Sequence, residues 1–205
     1  MSKIITSSEI SKMDRFFRVN FIHSLAGYKS PFLLATVGEN PNLAIFSSIF
    51  HLGSNPPLLG IKFRPITGDL HTYHNLKKQG YLTINSIDMD IFRKAHLTSA
   101  RLSAGDSEFD FAELNMEWRD ASIIPFVAES KIKVLAEYKE EYLIKANKTR
   151  VVVVEIKWVE IAEDAMRNDG TIELDVLNSV AINGLYNYFL PEFVDILGYV
   201  HKPAQ

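Results

Sequence analysis

Two strand-like stretches in the second half of the chain constrain its fold most. "KIKVLAEYK" (Lys131–Lys139) sets Ile132, Val134, Ala136 and Tyr138 at alternate positions against mostly charged neighbours. A period of two puts that apolar set on one face of a half-buried strand. "TRVVVVEIKWVEIA" (Thr149–Ala162) opens on a run of valines and then alternates. Its first half reads as buried on both faces, its second half on one. Tyr142–Lys145 is read as pairing between the two stretches. Strands separated by so short a connection pair antiparallel.

The rest of the chain repeats this theme. "FLLATVG" (Phe32–Gly38) reads as a buried strand, "ENPN" as a turn containing Pro41 and Asn42, and "LAIFSSIF" and "LLGIKF" as two strands about a Ser-Asn-Pro-Pro corner with Asn55 serving the turn. "YLTINSI" is a further strand. A helix is expected from Ser8, as its cap, to Leu25, with Ile10, Met13, Phe17 and Phe21 at helical spacing and Gly27 closing it. "GDLHTYHNLKKQG" suits a short helix capped by Asp69 and ended by Gly80. Another helix is expected from Asp90, and a loop with a short helix between Gly105 and Asn115. "DGTIEL" reads as a turn and an edge segment, and the aromatic tail as surface packing or a dimer contact. At least six strands with short connections and helices at the edges give a mainly β fold, a closed or nearly closed antiparallel barrel with appended helices. No repeat or linker divides residues 1–205, so one domain is expected.

Composition narrows the function. The chain has 205 residues, no cysteine and a net charge of −3. There is no thiol for a disulfide, a thiolate metal site or a nucleophile. There is no basic excess for phosphate-backbone binding, which argues against nucleic acid. No apolar run approaches the ~20 residues needed to span a bilayer. The N-terminus has no signal-peptide core, so a cytoplasmic setting is expected.

Catalytic constellations are sparse. His71 and His74 stand three apart on one helix but lack further ligands of a known metal motif. Glu137, Glu140 and Glu141 read as solvated surface. What remains is polar groups inside apolar surroundings. Ser47 and Ser48 are consecutive, and in a strand only one of them can face a shared pocket. Arg64 stands at a strand end, followed by Thr67, Gly68 and a helix start near Asp69–Thr72. Helix N–H groups beside an arginine and threonines can cradle a phosphate. Pairing of Arg64 to a carboxylate is the competing reading.

The blocks "NLAIFSSIFHLGSNPPLLGIKFRP", "HTYHNL", "YLTINS", "AHLTSA", "SEF" and "PFVAES", in this order and spacing, resemble the flavin reductase-like family with its FMN-binding split barrel. The resemblance runs from about Arg18 to Tyr188. It implies a homodimer with one FMN per subunit near the dimer interface. It implies that the flavin ring lies against Asn42, Ala44, Phe46, Ser47 and Ser48, and that the phosphate lies beside Arg64, Thr67, His71 and Thr72. By the same resemblance His96, Thr98 and Ser99 line the pocket, with Lys29 as a further candidate. The sequence departs from the family where a basic residue is expected before "HT", since Asp69 and Leu70 stand there. That places more weight on Arg64, with Lys77, Lys78 or a partner subunit as alternative sources of charge. The implied activity is NAD(P)H-dependent flavin reduction, with hydride passing from NADH or NADPH to flavin N5 and on to a small-molecule electron acceptor. The alternatives are a non-catalytic FMN-binding or electron-carrying protein of the same fold, and a barrel that has lost its flavin.

Overall fold

The computed structural model describes residues 1–68, 70–102, 106–120 and 122–199. In chain order it has α1 (Ser7–Lys12), α2 (Arg15–Leu25), β1 (Phe32–Val37), β2 (Pro41–Phe46), β3 (Ile49–Ser54) and β4 (Pro57–Phe63). Then follow α3 (His71–Gln79), β5 (Tyr81–Ser86), α4 (Phe92–Leu97), α5 (Glu108–Phe111), β6 (Met116–Glu117) and β7 (Phe126–Val127). Two long strands, β8 (Ile132–Ile144) and β9 (Thr149–Ile161), and a small hairpin of β10 (Ala181–Asn183) and β11 (Asn187–Phe189) complete it.

The two long strands pair antiparallel from Ile132↔Ile161 to Ile144↔Thr149. Register shifts at Leu135/Ala136 and Tyr138/Glu140 mark bulges, which bend and twist the ribbon. Around it the sheet runs β2-β1-β5-β8-β9-β4-β3, every neighbouring pair antiparallel.

The topology forces this sheet to roll. Its edge strands, β2 and β3, are consecutive in the chain and joined only by Ser47 and Ser48. Three Cα steps separate Phe46 from Ile49, so that link spans at most about 11 Å. Six strand spacings in a flat sheet come to about 29 Å. The sheet therefore curls until its edges approach, yet no ladder joins β2 to β3 among the described residues. The barrel is split along that seam.

Rolling creates two apolar layers. Leu34, Ile61, Phe63, Leu82, Val134, Ala136, Val152 and Val154 face the interior, where Tyr73 and Leu76 of α3 pack on them. Leu33, Ala35 and Leu43 face outward against Ala95, Phe109, Ile124 and Val127. Being covered on both faces explains the apolar run Phe32–Ala35 at the start of β1.

Several expectations are corrected here. The N-terminal helix is two helices. Thr6 caps α1 in a reciprocal pair with Glu9, and Asp14 caps α2 by accepting from the N–H groups of Phe16 and Phe17. A carboxylate poised to satisfy two free N–H groups restarts the helix and outweighs continuous periodicity. "LAIFSSIF" is two strands, parted at Ser47–Ser48, because the chain changes sheet edge there. Pro41 and Asn42 lie within β2, paired with Val37 and Thr36, not in the turn. "DGTIEL" turns at Gly170 (φ 84) but supplies only the isolated bridge Met166↔Ile172. The cap expected from Asp69 falls outside the described residues, and Leu70 stands at the N-cap position of α3 with no side-chain cap bond. Gly80 ends α3 at φ 78, as its lack of a Cβ allows.

Candidate functional site

The seam between β2 and β3 is where polar groups collect. Strand parity directs the backbone groups of Leu43 and Ile45 away from β1 and toward the open side. The Leu43 N–H donates to Glu108 Oε2 of α5 at 3.2 Å. Ile45 and the Ser47–Ser48 link continue this open edge with unladdered backbone groups and two hydroxyls. The Ser48 carbonyl accepts from the Lys62 N–H at 2.9 Å, which ties the link to β4.

On the interior face, Asn42 Nδ2 donates to Thr72 Oγ1 at 3.0 Å and to Thr36 Oγ1 at 3.4 Å. Asn75 Nδ2 donates to the same Thr36 oxygen at 3.3 Å. Asn42 and Thr72 are 8% and 6% exposed. Their side chains hold the start of α3 against β1 and β2. Ala44 is half-buried opposite Leu34. Phe46 meets Phe63 edge to face at 5.1 Å, and Phe63 meets Tyr73 at 5.6 Å. These contacts set the first turn of α3 beside the seam, with His71 exposed at its head.

A residue that sequence reasoning assigned to solvated surface anchors the other side of α3. Glu141 accepts from the Tyr73 hydroxyl at 2.9 and 3.1 Å and from Arg150 Nη1 at 2.7 Å, with Lys77 Nζ 3.7 Å away. Its side chain is only 18% exposed. Burial and the Glu141 carboxylate push the Tyr73 hydroxyl above its ordinary range. The signal was the tight turn after Ile144, which fixes the register and makes Arg150 the diagonal neighbour of Glu141. Lys77 also donates to the Tyr138 hydroxyl at 2.6 Å, the main cause of its raised pKa. Lys77 is thus committed to the fold. Arg64, exposed at the end of β4, makes no ion pair with any described residue. Thr67 is exposed, and its carbonyl accepts from the Leu70 N–H at 3.2 Å and contacts His74 Nε2 at 3.1 Å. His74 therefore pins the β4–α3 loop.

The α4 residues form a second group. Ala95 packs in the outer layer, on the opposite face of β1 from Leu34. Thr98 is buried and its hydroxyl donates to the Ala95 carbonyl at 2.8 Å. The Ser99 hydroxyl donates to the His96 carbonyl at 2.7 Å. Both finish the last turn of the helix, where carbonyls lack helical partners. His96 Nδ1 lies 3.0 Å from the Tyr188 hydroxyl, and its ring meets Tyr186 edge to face. Burial pushes Tyr188 up to about 12. The structure thus brings Asn42 and Thr72 into contact, sets Ala44, Phe46, Ser47 and Ser48 along one strand and its exit, and sets His96 against Tyr188 of β11 while Thr98 and Ser99 bond back to their own helix. Lys29 Nζ donates to the His23 carbonyl at 3.0 Å, just before β1.

The architecture recurs in proteins of known structure. The model of the flavin reductase like domain matches residues 25–180. A Shewanella frigidimarina structure, assigned as a flavin reductase with a split barrel domain, superposes with a TM-score of 0.93 at 36% identity, covering 97% of this chain and 100% of that one. Component B of nitrilotriacetate monooxygenase from Bacillus cereus (TM-score 0.82, 18% identity, 95% and 100% covered) shares the fold. So does the Pseudomonas fluorescens 2-nitrobenzoate 2-nitroreductase (TM-score 0.81, 16% identity, 98% and 99% covered). No curated protein matches the chain at a significant level. No described helix is long and apolar enough to cross a membrane. With three quarters of its length matched by that family's model and a split-barrel relative 36% identical over nearly the whole chain, the chain belongs to the flavin reductase-like family.

Proposed function

We propose that this protein binds FMN at the β2–β3 seam and is an NAD(P)H-dependent flavin reductase that hands electrons to a small acceptor. The observation that carries the reading is the donor set at the seam. An open strand edge at Ile45 and the Ser47–Ser48 link suit the polar edge of a flavin ring. Ala44 and Phe46 offer apolar cover from the same strand. At the far end, the first turn of α3 has no side-chain cap, and Arg64 beside its loop has no carboxylate partner among the described residues. Helix N–H groups without a side-chain cap, and a guanidinium with no carboxylate partner among the described residues, suit a phosphate monoester.

In this reading Arg64, His71 and the backbone of Thr72 hold the phosphate. Asn42 and the Thr72 hydroxyl position that turn, and Ser47 or Ser48 orients the ring. When bound, the flavin supplies the redox chemistry, taking hydride from NADH or NADPH. The protein then needs no general acid or base of its own. It must orient the ring, leave one face open and keep the phosphate fixed. His96, Thr98 and Ser99 shape the neighbouring wall, with the His96–Tyr188 pair fixing the imidazole. A second copy of the chain completes the seam in a homodimer.

The test is anaerobic. Purified protein with FMN should lose its yellow absorbance on addition of NADH or NADPH. A yellow protein that dithionite bleaches but neither nucleotide does would make it an electron carrier instead. A colourless protein that takes up no added FMN would overturn the flavin reading itself.

A further inference from the structure

One half-buried acid lacks a counter-charge, and it lies at the seam. Among the described residues, the other acids that are not exposed are each held by partners. Asp88, Glu117, Glu137, Glu141, Glu155, Glu160 and Glu173 pair with a lysine or an arginine. Glu129 accepts from both nitrogens of Asn115. Glu108 makes no ion pair with any described residue, and its side chain takes a single hydrogen bond from them, the one from the Leu43 N–H at 3.2 Å. A half-buried carboxylate without a cation costs stability. An uncharged acceptor would tie α5 to β2 at less cost, so the bond alone does not account for the charge.

The fold fixes where that charge stands. Phe109, the next residue, is fully buried in the outer layer with Leu33 and Leu43. The Ala112 N–H donates to the Glu108 carbonyl at 3.0 Å. The backbone of Glu108 is therefore clamped beside β2. The Leu43 N–H that it accepts from points out of the open edge of the strand, and the Ile45 N–H follows on the same edge roughly 7 Å further on. The carboxylate thus lies along the edge that the proposed function gives to the polar side of the flavin ring.

We infer that Glu108 is a positioning charge that keeps the reduction potential of the bound flavin low. This rests on the proposed function and deepens it. Hydride from NADH or NADPH brings two electrons and one proton to a neutral ring and leaves the oxidised nucleotide. The ring thereby gains one negative charge. A carboxylate beside it with no cation of its own repels that charge. The site then holds reduced FMN less tightly than oxidised FMN, and the bound flavin becomes a stronger donor toward the small acceptor.

Glu108→Gln separates charge from anchoring, because its amide oxygen can still accept from the Leu43 N–H. The full-length protein is loaded with FMN, and its midpoint potential is measured anaerobically against a reference dye, with urea unfolding in parallel. Glu108→Gln should favour reduced over oxidised FMN about tenfold relative to wild type, a rise of about 30 mV for a two-electron couple, with stability kept or improved. Glu108→Leu, which removes the charge and the bond together, should raise the potential similarly while lowering stability. Equal potentials in wild type and Glu108→Gln overturn the inference and leave Glu108 as an anchor. A rise in Glu108→Leu alone also overturns it, since displacement of α5 and not charge would then move the potential. A wild type that takes up no FMN overturns the flavin reading and this inference with it, whereas uptake and bleaching with equal potentials overturn this inference alone.

Discussion

Replacing Glu141 by alanine probes how the fold supports the site. The substitution removes the acceptor of the Tyr73 hydroxyl and the partner of Arg150. Tyr73 is 8% exposed, so a hydroxyl left without an acceptor there costs about 1–3 kcal/mol. The Arg150 side chain is 31% exposed. A charge-assisted pair reaches roughly 1.5–3 kcal/mol when dry, and solvent screening brings this one to about 1 kcal/mol. The two share one carboxylate, so the total expected loss is about 2–4 kcal/mol. Urea unfolding followed by circular dichroism measures it, with the slope of the transition unchanged. Arg150→Met in the Glu141→Ala background should then cost little, leaving a coupling of about 1 kcal/mol in the double-mutant cycle. Because Tyr73 is held by Glu141 while its helix presents His71 and Thr72, FMN affinity should also fall, and riboflavin affinity less. A loss below 1 kcal/mol, or zero coupling, would refute the reasoning that Glu141 anchors α3. A full loss of stability with unchanged FMN affinity would sever the anchor from the site.

Three other outcomes are expected. Arg64→Ala should weaken FMN about tenfold to a hundredfold through lost charge-assisted bonds. Riboflavin, which lacks the phosphate, should change far less, and equal weakening of both would show that Arg64 does not meet the phosphate. Asn42→Leu removes the donor to Thr72 and Thr36 inside the structure, so denaturant unfolding should show a loss of about 2–3 kcal/mol, and a loss under 0.5 kcal/mol would count against that bridge. Burial raises the Tyr188 pKa from 10.0 to about 12, which favours the neutral form in the fold; this stability is present below pH 10 and lost as pH rises through about 12. Tyr188→Phe should flatten the alkaline limb of a stability–pH profile over that window, and parallel limbs would contradict it.

How far the sequence reveals such a molecule depends on whether a signal is local. The alternation in β8 and the valine run of β9 report burial directly, and Gly80 reports a positive φ, so those elements were legible from short windows. The seam was not. "LAIFSSIF" has the composition of one strand, and nothing within it says that Phe46 ends one sheet edge and Ile49 begins the other. That fact lives in the order of seven strands, set by pairings up to a hundred residues apart. Once the order is known, the two serines change meaning. They do not alternate across a ladder, as the sequence parity argument assumed, but form the link that leaves the ladder. Backbone groups freed there, with hydroxyls beside them, are what a planar polar-edged ligand requires. The same holds for charge. Glu141 looked solvated because its neighbours are Glu140 and Tyr142, and only the hairpin register and the docking of α3 bring it Arg150 and Tyr73. In this fold the residues that a window can read build the barrel. The residues that the split makes available are recognisable only by which partners the rolled sheet gives them or withholds.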